Sequence, residues 1–140
     1  MSTTVAAAVA ADAMISAPTV HRPSLTVSDC QAAFTDDHVH MVLVVEDGHL
    51  LGTLVRGDVP AHAGPSAPAL PFASSRGRTV GPHEPVAGLR AAMLASGARR
   101  LAVVDEKGSL LGLLCLKRHL GGFCSDADVA ARAADRSGCR

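Results

Sequence analysis

The sequence predicts an α/β (α+β) chain made of two similar halves packed sheet to sheet. One observation is a repeated segment. Val44-Val45-Glu46-Asp47-Gly48-His49-Leu50-Leu51-Gly52-Thr53-Leu54 returns as Val103-Val104-Asp105-Glu106-Lys107-Gly108-Ser109-Leu110-Leu111-Gly112-Leu113-Leu114. A second is that each copy follows a short extended piece and a helical stretch. The third is size: 140 residues, 48% of them hydrophobic, allow one compact domain or two fused half-domains with an ample core. A small unit repeated at this period cannot bury its apolar face alone and needs its twin, so function is expected between the copies.

In the first copy, Val9 to Ile15 reads as a short helical turn ended by Ser16-Ala17-Pro18. Thr19-Val20-His21 is extended, and Arg22-Pro23-Ser24 turns. Thr26 caps a helix running to about Asp37, with Asp29 three residues on to suit the positive helix end. Met41 to Val45 is a continuous apolar run short enough for a strand buried on both faces. Asp47-Gly48 is a tight turn, and Leu50 to Val55 returns to complete a hairpin. Gly57-Asp58-Val59 opens a short helix that Pro60 keeps brief.

Pro60, Gly64, Pro65, Pro68 and Pro71 among alanines and serines mark an extended, semi-rigid linker over 60–74. The second copy then repeats the plan. Arg78-Thr79-Val80 is extended, Gly81-Pro82 turns, and Glu84-Pro85 starts a helix with proline at its first position. Val86, Leu89 and Met93 share a helical face, and Gly97 closes the helix in the left-handed region. Leu101 to Val104 and Leu110 to Leu116 form the second hairpin around Lys107-Gly108. Ser125-Asp126-Ala127-Asp128 caps a final alanine-rich helix to about Arg136. The expected organisation is repeat one over 9–59, the linker over 60–74, repeat two over 75–123, and a C-terminal helix and tail over 124–140.

Composition narrows the function classes. Thirteen basic and thirteen acidic residues cancel, and three Phe with no Trp or Tyr leave little for base stacking. Nucleic acid is not an expected partner. No apolar run approaches the roughly 20 residues that span a bilayer, so no membrane partner is expected. Asp12 interrupts the alanine-rich start and no basic n-region precedes it, which argues against a signal peptide. Cys30, Cys115, Cys124 and Cys139 have no CxxC spacing; reduced, buried thiols in a cytoplasmic protein are expected. His38 and His40 lack the further ligands of a tetrahedral set, so no metal site is expected. No Ser/His/Asp or Cys/His arrangement and no glycine-rich phosphate loop is legible, so the chain is not expected to be an enzyme.

The doubled segment after a capped helix, with Asp12-Ala13-Met14-Ile15-Ser16 similar to a D-x-M-[TS] opening, resembles a tandem pair of CBS domains, the Bateman module. The resemblance covers nearly the whole chain. It implies two β-α-β-β-α repeats packed about a pseudo-twofold axis, with two equivalent clefts. Those clefts take adenine-containing ligands: AMP, ADP, ATP, S-adenosylmethionine, sometimes NAD. The family is regulatory, needs no resident cofactor, and commonly dimerises.

Family sites end in G-h-h-[ST]-x-x-D-h, whose acid takes both ribose hydroxyls. A carboxylate suits this because it only accepts. The first copy reads Gly52-Thr53-Leu54-Val55-Arg56-Gly57-Asp58-Val59, which keeps Asp58 but has Val55 in place of the hydroxyl residue. The second reads Gly112-Leu113-Leu114-Cys115-Leu116-Lys117-Arg118-His119, where Cys115 replaces the hydroxyl residue and Arg118 the acid. Arginine carries five donors and no acceptor, so Arg118 suits a phosphate or carboxylate better than a ribose. By matching, Thr19-Val20 and Met41-Val42 line the first adenine pocket, and Arg78-Thr79 and Arg100-Leu101 the second. Arg56, Arg99, Arg100, Lys117 and Arg118 form a candidate anion-binding rim.

Two functional expectations follow. One is a stand-alone module that senses an adenosine-type ligand and acts on an effector protein in trans. The other is a ligand-free homodimeric interaction scaffold, which the Val55, Cys115 and Arg118 replacements favour.

Overall fold

Turn chemistry sets the two hairpins. In the computed structural model, which describes residues 8–37, 39–116 and 123, β1 (Val42–Glu46) pairs antiparallel with β2 (His49–Leu54). Asp47 and Gly48 both take positive φ, 52° and 81°, the requirement of a two-residue turn that matches strand twist. In the second copy the Asp105 carboxylate accepts from the Lys107 and Ser109 N–H groups, shaping a longer turn with Gly108 at φ 85°. The result is β4 (Arg100–Val104) paired antiparallel with β5 (Leu110–Cys115).

Each hairpin acquires a parallel neighbour. β3 (Thr79–Val80) pairs with β4, giving a three-stranded sheet in the order β3-β4-β5. In the first copy the corresponding strand shrinks to one parallel bridge, His21 to Val44, held by His21 N–H to Leu43 O and Val45 N–H to His21 O, both 2.8 Å. Thr19 and Val20, expected to be extended strand, lie outside it.

Among the helices, α1 is a single turn (Ala10–Ala13) and α2 spans Val27–Ala33. The reciprocal Thr26–Asp29 cap on α2 forms as the sequence predicts. α3 (Val86–Ser96) ends on Gly97 at φ 80° with its N–H on Met93 O. Pro85 stands one place earlier than expected, as the N-cap, because its extended ψ of 132° is not helical. No short helix opens at Gly57. Asp58 instead closes a turn, its N–H on Val55 O and its carboxylate on Val55 N–H.

The stretch over 60–74 is folded rather than extended. Leu70–Phe72 forms a 3-10 turn and Ala69 is fully buried against repeat one. Its role is visible by symmetry with the chain's start. Ile15 bridges Leu113 in the second copy, while Ser74 bridges Thr53 in the first. Likewise Val9 bridges Pro85, and Thr26 bridges Pro68. Each repeat's leading segment therefore closes the sheet edge of the other.

Among the described residues three apolar clusters stand out. One lies under repeat one around Val42, Val44, Leu54 and Cys30; another under repeat two around Met93, Val103 and Leu114. The third joins Met41 and Leu43 of the first sheet to Ala102 and Leu113 of the second. Backbone bonds Leu50 N–H to Gly108 O and Leu110 N–H to Gly48 O tie the hairpin ends together. Among the described residues no helix is long and apolar enough to cross a membrane. The terminal helix expected from Ser125 lies outside the described residues.

Candidate functional site

The sheet-to-sheet packing leaves a cavity on either side of the shared core. One, of about 420 Å³, is walled mainly by apolar side chains. Ile15, Pro18, Val39, Met41 and Leu113 line it, with Thr19, His21 and Asp36 as its polar groups. The other, of about 380 Å³, is cationic: Arg56, Arg76, Arg78, Arg99 and Arg100 border it together with His40, Met41 and Val55. Among the described residues no acidic side chain lines the second cavity.

Asp58 sits beside the second cavity, bound by Arg78 across the repeat boundary. Arg78 Nη1 donates to Oδ2 at 2.6 Å and Nη2 to Oδ1 at 3.0 Å, while the Val55 N–H donates to Oδ2 at 2.8 Å. The side chains are 23% (Arg78) and 17% (Asp58) exposed, so the pair is well shielded. Burial works against the charged carboxyl, but the hydrogen bonds from Arg78 and from the Val55 N–H outweigh it and hold its pKa below the usual value. Val55 thus supplies through its backbone a contact that its side chain cannot.

Neighbouring arginines are committed in different ways. Arg56 donates to the carbonyls of Phe34, Asp36 and Val39 and lies over the Phe34 ring, 5.1 Å from its centroid. It clamps the end of α2 more than it offers an anion rim. Arg99 donates to Leu116 O at 3.1 Å, and its Nε is buried with no hydrogen-bond partner among the described residues. Arg100 is 4% exposed; burial and the adjacent Arg99 charge lower its pKa to about 10.

The candidate residues distribute unevenly. Thr19 lines the apolar cavity, Met41 lines both, and Val55, Arg78, Arg100 and Leu101 line the cationic one. The cationic cavity thus joins the Asp58 turn of the first copy to the Arg78 and Arg100 segments of the second. Val20 borders neither cavity and is 46% exposed. Val42 is core. Cys115 is fully buried at the end of β5 and takes part in a disulfide, which corrects the expectation of a reduced thiol and removes it as a hydrogen-bonding ligand contact. Cys30 is a free buried thiol, its pKa raised by burial and, secondarily, by Asp58. Lys117, Arg118, Cys124 and His38 lie outside the described residues. Arg76 was not singled out by sequence; its position two residues before Arg78, at the same cleft, was the available signal. Among the described residues no three His, Cys, Asp or Glu side chains are grouped to hold a metal ion.

No protein-family model matches the chain, and no curated protein aligns with it. Solved structures do. The cystathionine β-synthase pair domain of a proposed Mg2+ transporter from Shewanella oneidensis MR-1 superposes with a TM-score of 0.67 at 20% identity, over 91% of this chain and 71% of that one. A CBS domain protein from Pyrobaculum aerophilum complexed with AMP gives 0.63 at 18% identity, over 80% of this chain and 94% of that one. CBSX2 in complex with AMP gives 0.65 at 20% identity, over 91% and 98%. The fold is that of a tandem CBS-domain pair. The crossed leading segments and the two inter-repeat cavities are the features of this chain that carry that architecture.

Proposed function

We propose that the chain is a regulatory module that takes an adenosine-type ligand (AMP, ADP, ATP or S-adenosylmethionine) between its repeats and acts on an effector protein in trans. The observation that carries this reading is Asp58: a carboxylate held by Val55 and Arg78, two residues that line an inter-repeat cavity of about 380 Å³, within the usual range for small-molecule pockets. The AMP held by the Pyrobaculum protein and by CBSX2, two chains of the same fold, supports it. Regulation then requires that the ligand bind two arrangements of the repeats with different affinity. No catalytic step belongs to this reading, and the module works as a homodimer in the cytoplasm.

A second reading is favoured by one specific contact. Arg78 already satisfies the Asp58 carboxylate, as expected of a scaffold that kept the fold and dispensed with its ligand. Thermal unfolding separates the two. A ligand at 100 times its Kd adds about 2.7 kcal/mol to the folded state, which for a domain this size raises Tm by roughly 8–10 °C. A shift with an adenosine ligand that Asp58→Ala abolishes supports sensing. No shift with any of them, alongside a concentration-dependent dimer, supports the scaffold.

A further inference from the structure

The contact between Asp58 and Arg78 does more than weigh one reading against another. A carboxylate offers about four acceptor positions, and three are filled here by the two Arg78 nitrogens and the Val55 N–H. Two ribose hydroxyls therefore find room only if Arg78 withdraws. A withdrawn Arg78 loses Asp58, its acidic partner among the described residues, and faces Arg76, Arg99 and Arg100 around a cavity that no described acidic residue lines. That exchange is unfavourable unless the ligand itself brings negative charge. Arginine forms paired hydrogen bonds with phosphate as readily as with carboxylate. A ligand carrying phosphates can thus replace Asp58 as Arg78's partner while its ribose takes Asp58. An uncharged nucleoside leaves Arg78 without an anion, and S-adenosylmethionine, although its one carboxylate can meet Arg78, adds an ammonium and a sulfonium, a net cation, to a cluster of cations.

We propose that Arg78 sets the ligand class of this cleft, admitting adenosine ligands that carry a phosphate chain and turning away free nucleosides and S-adenosylmethionine. The inference rests on the ligand-sensing reading above and narrows it. Arg78 is a gate that the phosphate opens, and Asp58 is the group the gate uncovers.

Isothermal titration of the full chain with adenosine, AMP, ADP, ATP, S-adenosylmethionine and inorganic tripolyphosphate tests it. Hydrogen bonds to charged groups of this kind correspond to at least about a tenfold difference in Kd. ADP and ATP are expected to bind the unaltered protein more tightly than adenosine and S-adenosylmethionine by at least that factor. In Arg78→Met the gap closes from both sides, with adenosine tighter and ATP weaker; Arg78→Lys lies between. Tripolyphosphate binds more weakly than ATP, because only the nucleotide engages Asp58. Equal affinity of the unaltered protein for adenosine, or for S-adenosylmethionine, and ATP overturns the inference while leaving ligand sensing intact. So does tripolyphosphate binding as tightly as ATP, or an unchanged gap in Arg78→Met that circular dichroism shows to be folded. Should Arg78→Met not fold, the ranking in the unaltered protein and in Arg78→Lys decides. Silence of all six compounds overturns both this inference and the sensing reading.

Discussion

Gly112 lies directly against Met14: a Cβ placed on it would stand 2.5 Å from the Met14 Sδ and 2.6 Å from the Ile15 carbonyl oxygen. Its twin Gly52 faces Ala73 in the same way, at 2.8 Å from that Cβ. The glycine that recurs after each leucine pair is therefore a clearance for the leading segment crossing over from the other repeat. The Ile15 oxygen is backbone and cannot swing away as the Met14 side chain can. Gly112→Ala is expected to destabilise the protein by about 1–3 kcal/mol, the usual cost of overpacking. Gly88→Ala is the control. It lies inside α3 with nothing within 4 Å of an added Cβ, so it should stabilise by about 0.5–1 kcal/mol. Urea unfolding followed by circular dichroism reads both.

Leu43 tests whether the halves stand or fall together. It is 1% exposed in the cluster joining Met41 to Ala102 and Leu113 across the sheets. Leu43→Ala removes buried methyl groups from that junction and should cost about 2–5 kcal/mol. Met93→Ala, in the core under repeat two that Ala10 of the crossing leading segment also enters, should cost a similar amount. Because the leading segments are exchanged, each variant should shift one single transition rather than split it. Two separate transitions after Met93→Ala would show that the repeats fold independently.

The Asp58 carboxyl carries a pH signature. Its pKa in the folded protein lies below the ordinary value of 3.8. A carboxyl depressed in this way contributes stability that is complete above its unfolded value and is lost as pH falls through the folded one. Stability should thus decline with acidification below about pH 4, less steeply in Asp58→Asn than in the unaltered chain. Asp29 and Asp105 are also depressed, chiefly by backbone hydrogen bonds from Thr26 and Ser109, and contribute to the same decline in both proteins. The difference between the two urea-derived stability curves isolates Asp58. At pH 7, Asp58→Asn should cost about 1–3 kcal/mol, between an exposed and a fully buried ion pair.

Much of this architecture is legible because local chemistry and tertiary packing agree. Thr26 with Asp29, Asp47 with Gly48, and Gly97 each encode a cap or turn within a few residues, and each forms where expected. The stretch over 60–74 reads as linker because its prolines suppress any periodic pattern. What it does depends on a bridge from Ser74 to Thr53 that no local signal announces. The site is legible in the same proportion. Asp58 is found from its place after the hairpin. That Arg78 of the other repeat holds it depends on how two sheets meet, a relation between distant residues that spacing does not encode. The disulfide at Cys115 belongs to that class too.

Arg56 follows the anion-rim pattern in sequence and a structural one in space, and its substitution distinguishes them. Its guanidinium collects the Phe34, Asp36 and Val39 carbonyls in the turns that follow α2. It also covers the Phe34 ring. Arg56→Met keeps the aliphatic stem but removes the donors that tie those three carbonyls together, and because the site is exposed to water the loss should be about 1–2 kcal/mol. Arg56→Lys should recover only part of it, since an ammonium cannot reproduce the planar fork that spans three carbonyls. Hydrogen exchange adds the discriminating measurement. Loss of the clamp should speed exchange at the Thr35, Asp36 and Val39 amides, whose bonds close the turns after α2. A residue serving only as an anion rim would leave both those amides and the urea midpoint unchanged on substitution.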